Sequence, residues 1–142
     1  MNTFSELPDR FYWFNEPMKF RVGDGLEIWT DPNTDFWQRT HYGFRNDNGH
    51  CLLQDLTGDF TVATQVEFEP HGMYDQCGLV LRLDGDDWIK ASAEYISPEN
   101  MKLGSVVTNL GYSDWATQDV SPDLRQLWYR ASKRGSDVKL EF

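Results

Sequence analysis

A chain of 142 residues suits one domain with a single sizeable core and is too short for two ordinary ones. Its formal charge is -10, from 23 acidic residues against 13 Lys and Arg, and the carboxylates are spread through turns and loops. With no basic stripe and no apolar run of membrane-spanning length, the composition argues against nucleic acid and membrane as partners.

The first residues, MNTFSELPDRFYW, carry no basic n-region and no long apolar core, so they do not read as a signal peptide. Phe11 to Asn15 is an aromatic run closed by Pro17. Lys19 to Val22 and Leu26 to Thr30 read as strands about a Gly23-Asp24-Gly25 turn, with another turn at Asp31-Pro32-Asn33. The stretch TDFWQRTHYGFRNDNGH is too polar for a core strand and too aromatic for an ordinary loop, and its Asn46-Asp47-Asn48-Gly49 is a strong turn signal. Strand-like runs follow at His50 to Gln54 and Asp59 to Phe68. Cys51 and Cys77 lie in strand-like runs without metal-ligand spacing, which suits free thiols in the cytoplasm, while a disulfide between them stays open.

Tyr74 to Ile96 is the most informative segment. Cys77, Leu79, Leu81 and Leu83 alternate with Gln76, Gly78, Val80 and Arg82, and after an acidic turn Ile89, Ala91, Ala93 and Tyr95 alternate with Trp88, Lys90, Ser92 and Glu94. Period-2 alternation predicts a hairpin with one apolar and one polar face. A two-residue loop would mix the faces, so a three-residue loop, Gly85 to Asp87, is expected, pairing Leu83 with Ile89 and Leu81 with Ala91. The polar face then gathers Gln76, Arg82, Trp88, Lys90 and Glu94 beside a bare glycine. Beyond it come a turn at Ser97 to Asn100, a strand Met101 to Asn109, a loop Leu110 to Asp114 and a strand Trp115 to Val120. Ser121 to Leu124 reads as a short helical turn with Ser121 as cap, before a hairpin of Gln126 to Lys133 and Val138 to Phe142. Many short strands without sustained helical periodicity predict an all-β, antiparallel β-sandwich. The last run stops at Phe142 without a turn signal, which predicts a chain cut short or an edge covered by a partner.

Five stretches, WFNEP (13–17), TDFWQRTHYGFRNDNGH (34–50), YDQCGLVLRLDGDDWIKASAEY (74–95), SVVTNLGYSDW (105–115) and LWYRASKRG (127–135), recur in this order in a known family. On these motifs the chain resembles the DUF1349 family, of the regulator-of-enolase type. The resemblance implies a single concanavalin A-like jelly-roll domain over residues 1–142 and a link to carbon metabolism. Family members continue past the equivalent of Phe142 with an SLDG-type hairpin and closing strands, so the chain is expected to be incomplete at its C-terminus. Cys77 stands where the family usually has another small residue. In such jelly rolls carbohydrate lies on the concave face of one sheet, which implies a groove lined by Gln76, Lys90, Glu94 and Thr108.

Around that groove, Trp37, Tyr42, Trp88, Tyr112 and Trp115 are expected at strand ends or in loops, where a ring can serve as an exposed platform for a sugar. Arg39 and Arg82 add cations, and Asp75 enters the central strand. His41 and His50 flank the NDNG turn, and a hairpin there would bring them together. With Asp35 or Asp75 they would suggest a metal or general-base site, but no metal-spaced pair such as HExxH occurs and loop scaffolding is the reading taken, with no cofactor. The candidate ligand-binding set is Trp37, Arg39, His41, His50, Asp75, Gln76, Arg82, Trp88, Lys90, Glu94, Thr108 and Trp115.

No catalytic residue is assigned. Glycoside hydrolysis needs two carboxyl groups about 5 to 10 Å apart, whereas the ExDxE pattern is absent and Glu94 has no evident partner. Three readings follow. The first is a non-catalytic cytoplasmic module binding a carbohydrate or related metabolite. The second is an interaction module meeting a protein partner, or a second copy, through aromatic loops and an open sheet edge. The third is a carbohydrate-active hydrolase whose site is incomplete.

Overall fold

A computed structural model describes residues 6–142, so the reading of the first five residues lies outside it. The described residues form thirteen strands and no helix. They fall into two compact units, one ending at Leu56 and the other spanning Thr57–Phe142.

The first unit holds three two-stranded antiparallel ribbons. β1 (Tyr12–Phe14) pairs with β6 (Cys51–Leu53), and β2 (Lys19–Val22) with β3 (Leu26–Trp29). β2 and β3 follow the expected spans because the glycines of 23–25 let the chain reverse, with Gly23 N–H donating to Gly25 O at 2.9 Å. The third ribbon corrects the sequence reading: β4 (Phe36–Gln38) and β5 (Arg45–Asp47) are strands inside the segment judged too polar for them. Their turn is not NDNG, whose first two residues belong to β5, but residues 39–44. Arg39, His41 and Gly43 there take positive φ of 56°, 65° and 77°. Two of these are not glycine, so composition gave no warning of the reversal.

The second unit is a β-sandwich. A four-stranded antiparallel sheet, in the order β11-β10-β9-β8, faces a three-stranded one, β13-β12-β7. The strands are β7 (Phe60–Glu67), β8 (Gln76–Arg82), β9 (Trp88–Ser97), β10 (Asn100–Asn109), β11 (Tyr112–Val120), β12 (Gln126–Arg134) and β13 (Asp137–Glu141). The expected loop at 110–114 shrinks to a two-residue turn, Leu110-Gly111, both at positive φ, so β11 begins three residues early. Ser121 to Leu124 makes one turn, closed by Leu124 N–H to Ser121 O at 3.2 Å, rather than a helix. Ala91, Ala93, Met101 and Leu103 from one sheet meet Leu127 and Tyr129 from the other, with Val66, Cys77, Leu79 and Leu140 around them. Each alternates with outward residues, so period 2 places the apolar set between the sheets.

The central hairpin keeps its predicted faces but not its partners. Leu81 pairs with Ile89, Leu79 with Ala91 and Gly78 with Ser92, two residues from the expected register. The loop is residues 83–87. Asp84 Oδ1 accepts the N–H groups of Asp86 and Asp87 at 2.8 and 2.9 Å, and this side-chain turn widens the reversal. A shift of two preserves parity, so no side chain changes face.

Between the sheets, the Tyr129 hydroxyl accepts the Ala93 N–H at 3.0 Å and donates to Cys77 O at 3.1 Å. Burial raises the Tyr129 phenol and pushes the Cys77 thiol up to about 12. Unfolded, a thiol titrates near pH 8.5 and a phenol near 10. Above pH ~8.5 the unfolded chain therefore sheds protons that the folded one keeps, and stability falls as pH rises toward 12, by at most ~1.4 kcal/mol per pH unit for each group. Urea unfolding between pH 8 and 11 should show this decline, and Cys77→Ala should remove the part that begins near pH 8.5.

Candidate functional site

The polar face of the four-stranded sheet is ordered in rows running across the strands. Pairing sets Arg82, Trp88, Thr108 and Ser113 in one row and Val80, Lys90, Val106 and Trp115 in the next. Gly78, Ser92, Gly104 and Thr117 form a third row, and Gln76, Glu94, Lys102 and Asp119 a fourth. The third row carries only small side chains or none, so it is a trough between two rows of larger ones.

The two glycines are required by backbone approach. A Cβ on Gly78 would stand 1.9 Å from Ala91 O, and one on Gly104 2.1 Å from Ala116 O. Lys90 exploits the trough: its ammonium donates to Gln76 Oε1 at 2.8 Å, a bond that runs from the second row to the fourth over Gly78 and Ser92. Lys90 is only 7 % exposed and Trp88 3 %. A buried ammonium is tolerated only where acceptors meet it, and the Gln76 amide is one such acceptor. Thr108 and Ser113, both buried, share a hydroxyl hydrogen bond of 2.7 Å at one end of the face. At the other end Lys102 forms an ion pair with Asp119.

The face brings together Gln76, Arg82, Trp88, Lys90 and Glu94, as the alternation of the hairpin predicted, with Thr108 from β10. Trp115, expected at a strand end or in a loop, joins them from within β11. It does not use Trp88 as an exposed platform: that ring is buried at the start of β9, where Arg82 and Thr108 pair beside it. Trp115 is half-buried within β11. Asp75 lies just before β8, where Oδ2 accepts the N–H groups of His71 and Gly72 at 2.7 and 2.8 Å, and this fixes the entering loop. Ser113, Lys102 and Asp119 were missed. Extending the hairpin's parity through β10 and β11 would have found them.

Trp37, Arg39, His41 and His50 belong to the first unit. The 39–44 turn carries an aromatic group in which Tyr42 stacks on Phe44 at 5.3 Å and meets Trp37 and His41 edge-on at 5.7 and 4.6 Å. Tyr42 and Phe44 are exposed, and Trp37 Nε1 donates to Thr40 O at 2.8 Å, which ties the turn to β4. The two histidines keep different company. His50 Nε2 accepts the Asp31 N–H at 3.1 Å and its Nδ1 lies 2.6 Å from Asn15 O, whereas His41 packs on Tyr42. Asp35 Oδ1 accepts the Phe36 N–H at 2.7 Å, a local turn contact. Among the described residues no group of three His, Cys, Asp or Glu side chains is placed to hold a metal ion.

Cys51 and Cys77 are free thiols. Among the described residues no helix is long and apolar enough to cross a membrane.

Antiparallel sheets with an apolar interior and a row-ordered polar face define an all-β sandwich protein. The chain belongs to the family described as "Protein of unknown function (DUF1349)", which matches residues 13–142. It is 38% identical over 130 residues to "Regulation of enolase protein 1" of Saccharomyces cerevisiae, a match that takes in 91% of this chain and 65% of the relative's length. A solved structure titled "The crystal structure of a functionally unknown protein from Saccharomyces cerevisiae" shares the fold with a TM-score of 0.83 at 33% identity, over 92% of this chain and 70% of that one.

Proposed function

We propose that this protein is a non-catalytic, cytoplasmic ligand-binding module that takes a carbohydrate or related polyhydroxylated metabolite on the polar face of its four-stranded sheet. The observation that carries this reading is the Lys90–Gln76 bond laid over the glycine row: an ammonium and an amide meet across Gly78 and Ser92, on a face whose neighbouring rows hold Trp88 and Trp115. These are the donors and acceptors that vicinal hydroxyls match. Glu94 faces Lys102 and Gln76 in its row, and the row's other carboxylate, Asp119, is held in the ion pair with Lys102, an arrangement that suits binding rather than a pair of catalytic carboxyl groups. The relative's name supports a regulatory role in carbon metabolism, and free thiols suit a reducing compartment.

Isothermal calorimetry against neutral and phosphorylated monosaccharides tests the reading. Saturable binding to at least one sugar is expected, weakened tenfold or more by Gln76→Ala and by Lys90→Met, with near-ultraviolet circular dichroism confirming that each variant folds. Absence of binding across the panel, or binding untouched by both substitutions, would overturn it.

A further inference from the structure

The hairpin ends of β8–β9 and β10–β11 come together at one end of the four-stranded sheet. Gly111 N–H donates to Asp86 O at 2.9 Å, and Leu110 N–H donates to Asp87 Oδ1 at 2.9 Å. This locked pair of loops displays apolar side chains to solvent: Leu83 is 89% exposed, Leu110 75%, and Tyr112 and Val107 are also exposed. Pairing places Val107 opposite Ile89 and Tyr112 opposite Asn109, on one side of the sheet. Leu83 opens the first loop and Leu110 stands at the tip of the second.

Leu110 is also strained. It has φ 51° at the first position of a two-residue turn, where asparagine or glycine would sit without steric cost. A large apolar residue held in that conformation and left in water gains the fold nothing, and such outliers mark functional positions. Charge narrows the occupant. Segments 83–87 and 107–114 contain four aspartates and no Lys or Arg. That rim opposes an anionic lipid surface, and on a chain of charge -10 it opposes a second copy of the same patch.

We propose that this loop pair is a docking surface for a protein segment that presents large apolar side chains flanked by Lys and Arg. The leucines enter the partner's apolar surface, while the aspartates meet its cations and set orientation and encounter rate.

Fluorescence anisotropy with the full chain tests this, using labelled twenty-residue helical peptides with Leu and Phe on one face and Lys and Arg beside them. A counterpart with Glu in place of each cation serves as the control. The expected result is saturable binding of the basic peptide only, weakened by added salt. Leu83→Ser and Leu110→Gly should each reduce it at least tenfold, while Gln76→Ala leaves it unchanged, which separates this surface from the sugar site. Leu110→Gly is the decisive variant: it relieves the positive φ, so its melting temperature should equal or exceed that of the parent while binding is lost. No saturable binding of the basic peptide, or equal binding by Leu110→Gly, would overturn the proposal. Binding instead to phosphatidylserine-containing vesicles, or self-association in sedimentation abolished by Leu110→Gly, would overturn it in favour of those occupants.

Discussion

Gly78→Ala should lower the unfolding free energy by about 3 kcal/mol or more, read as a reduced urea midpoint at unchanged slope. The new methyl carbon would lie 1.9 Å from Ala91 O, 2.8 Å from Ser92 Cα and 2.9 Å from Ala91 C, all backbone atoms of the neighbouring strand. A flexible side chain would swing aside. A paired strand moves only if its ladder with β8 opens, and β9 is also the partner of β10. Gly104→Ala should behave alike, since Ala116 O and Thr117 Cα occupy the corresponding space at 2.1 and 2.8 Å. Gly25→Ala provides the control. Nothing lies within 4 Å of its added carbon, so its cost should stay within about 0.5 kcal/mol. Equal effects at Gly78 and Gly25 would show that the strands do not approach as described.

The second large effect is expected at Tyr129. Its hydroxyl reaches across the sandwich from β12 and stands between two residues paired in the opposite sheet, taking the N–H of Ala93 and giving its proton to the carbonyl of Cys77. Tyr129→Phe keeps the ring and removes both bonds, at a cost of about 2 kcal/mol. Tyr129→Ala also opens a cavity in the core and should cost about 4 kcal/mol. Hydrogen exchange offers a local check, because the Ala93 amide should lose protection in Tyr129→Phe more than its neighbours do. Uniform loss along β9 would mean that the hydroxyl stabilises the sheet only as a whole.

Parity explains why so much of the sandwich was legible. Cys77, Leu79, Ala91 and Ala93 turn inward and Gln76, Lys90 and Glu94 outward because successive strand residues point to opposite faces, whatever the loop length. The two-residue error in register left that division intact. What failed did so for local reasons. The turn at 39–44 uses Arg39 and His41 at positive φ, and the one at 110–111 uses Leu110, residues that ordinarily avoid that region. Asn46 and Asp47, residues typical of turns, went into β5. The Asp84 side-chain turn lengthened the central loop through bonds that sequence spacing does not specify.

The polar face shows the same division. Alternation alone put Gln76, Trp88, Lys90, Glu94 and Thr108 on one side of one sheet. It did not show that Lys90 crosses a glycine row to reach Gln76, that Trp88 is buried rather than displayed, or that Lys102 and Asp119 complete the fourth row. Which face a side chain takes is a property of its own strand, set by a two-residue period and readable from the chain in order. Which neighbours it meets there depends on register between strands, and register is settled by turn hydrogen bonds and backbone approach that exist only in the folded sheet.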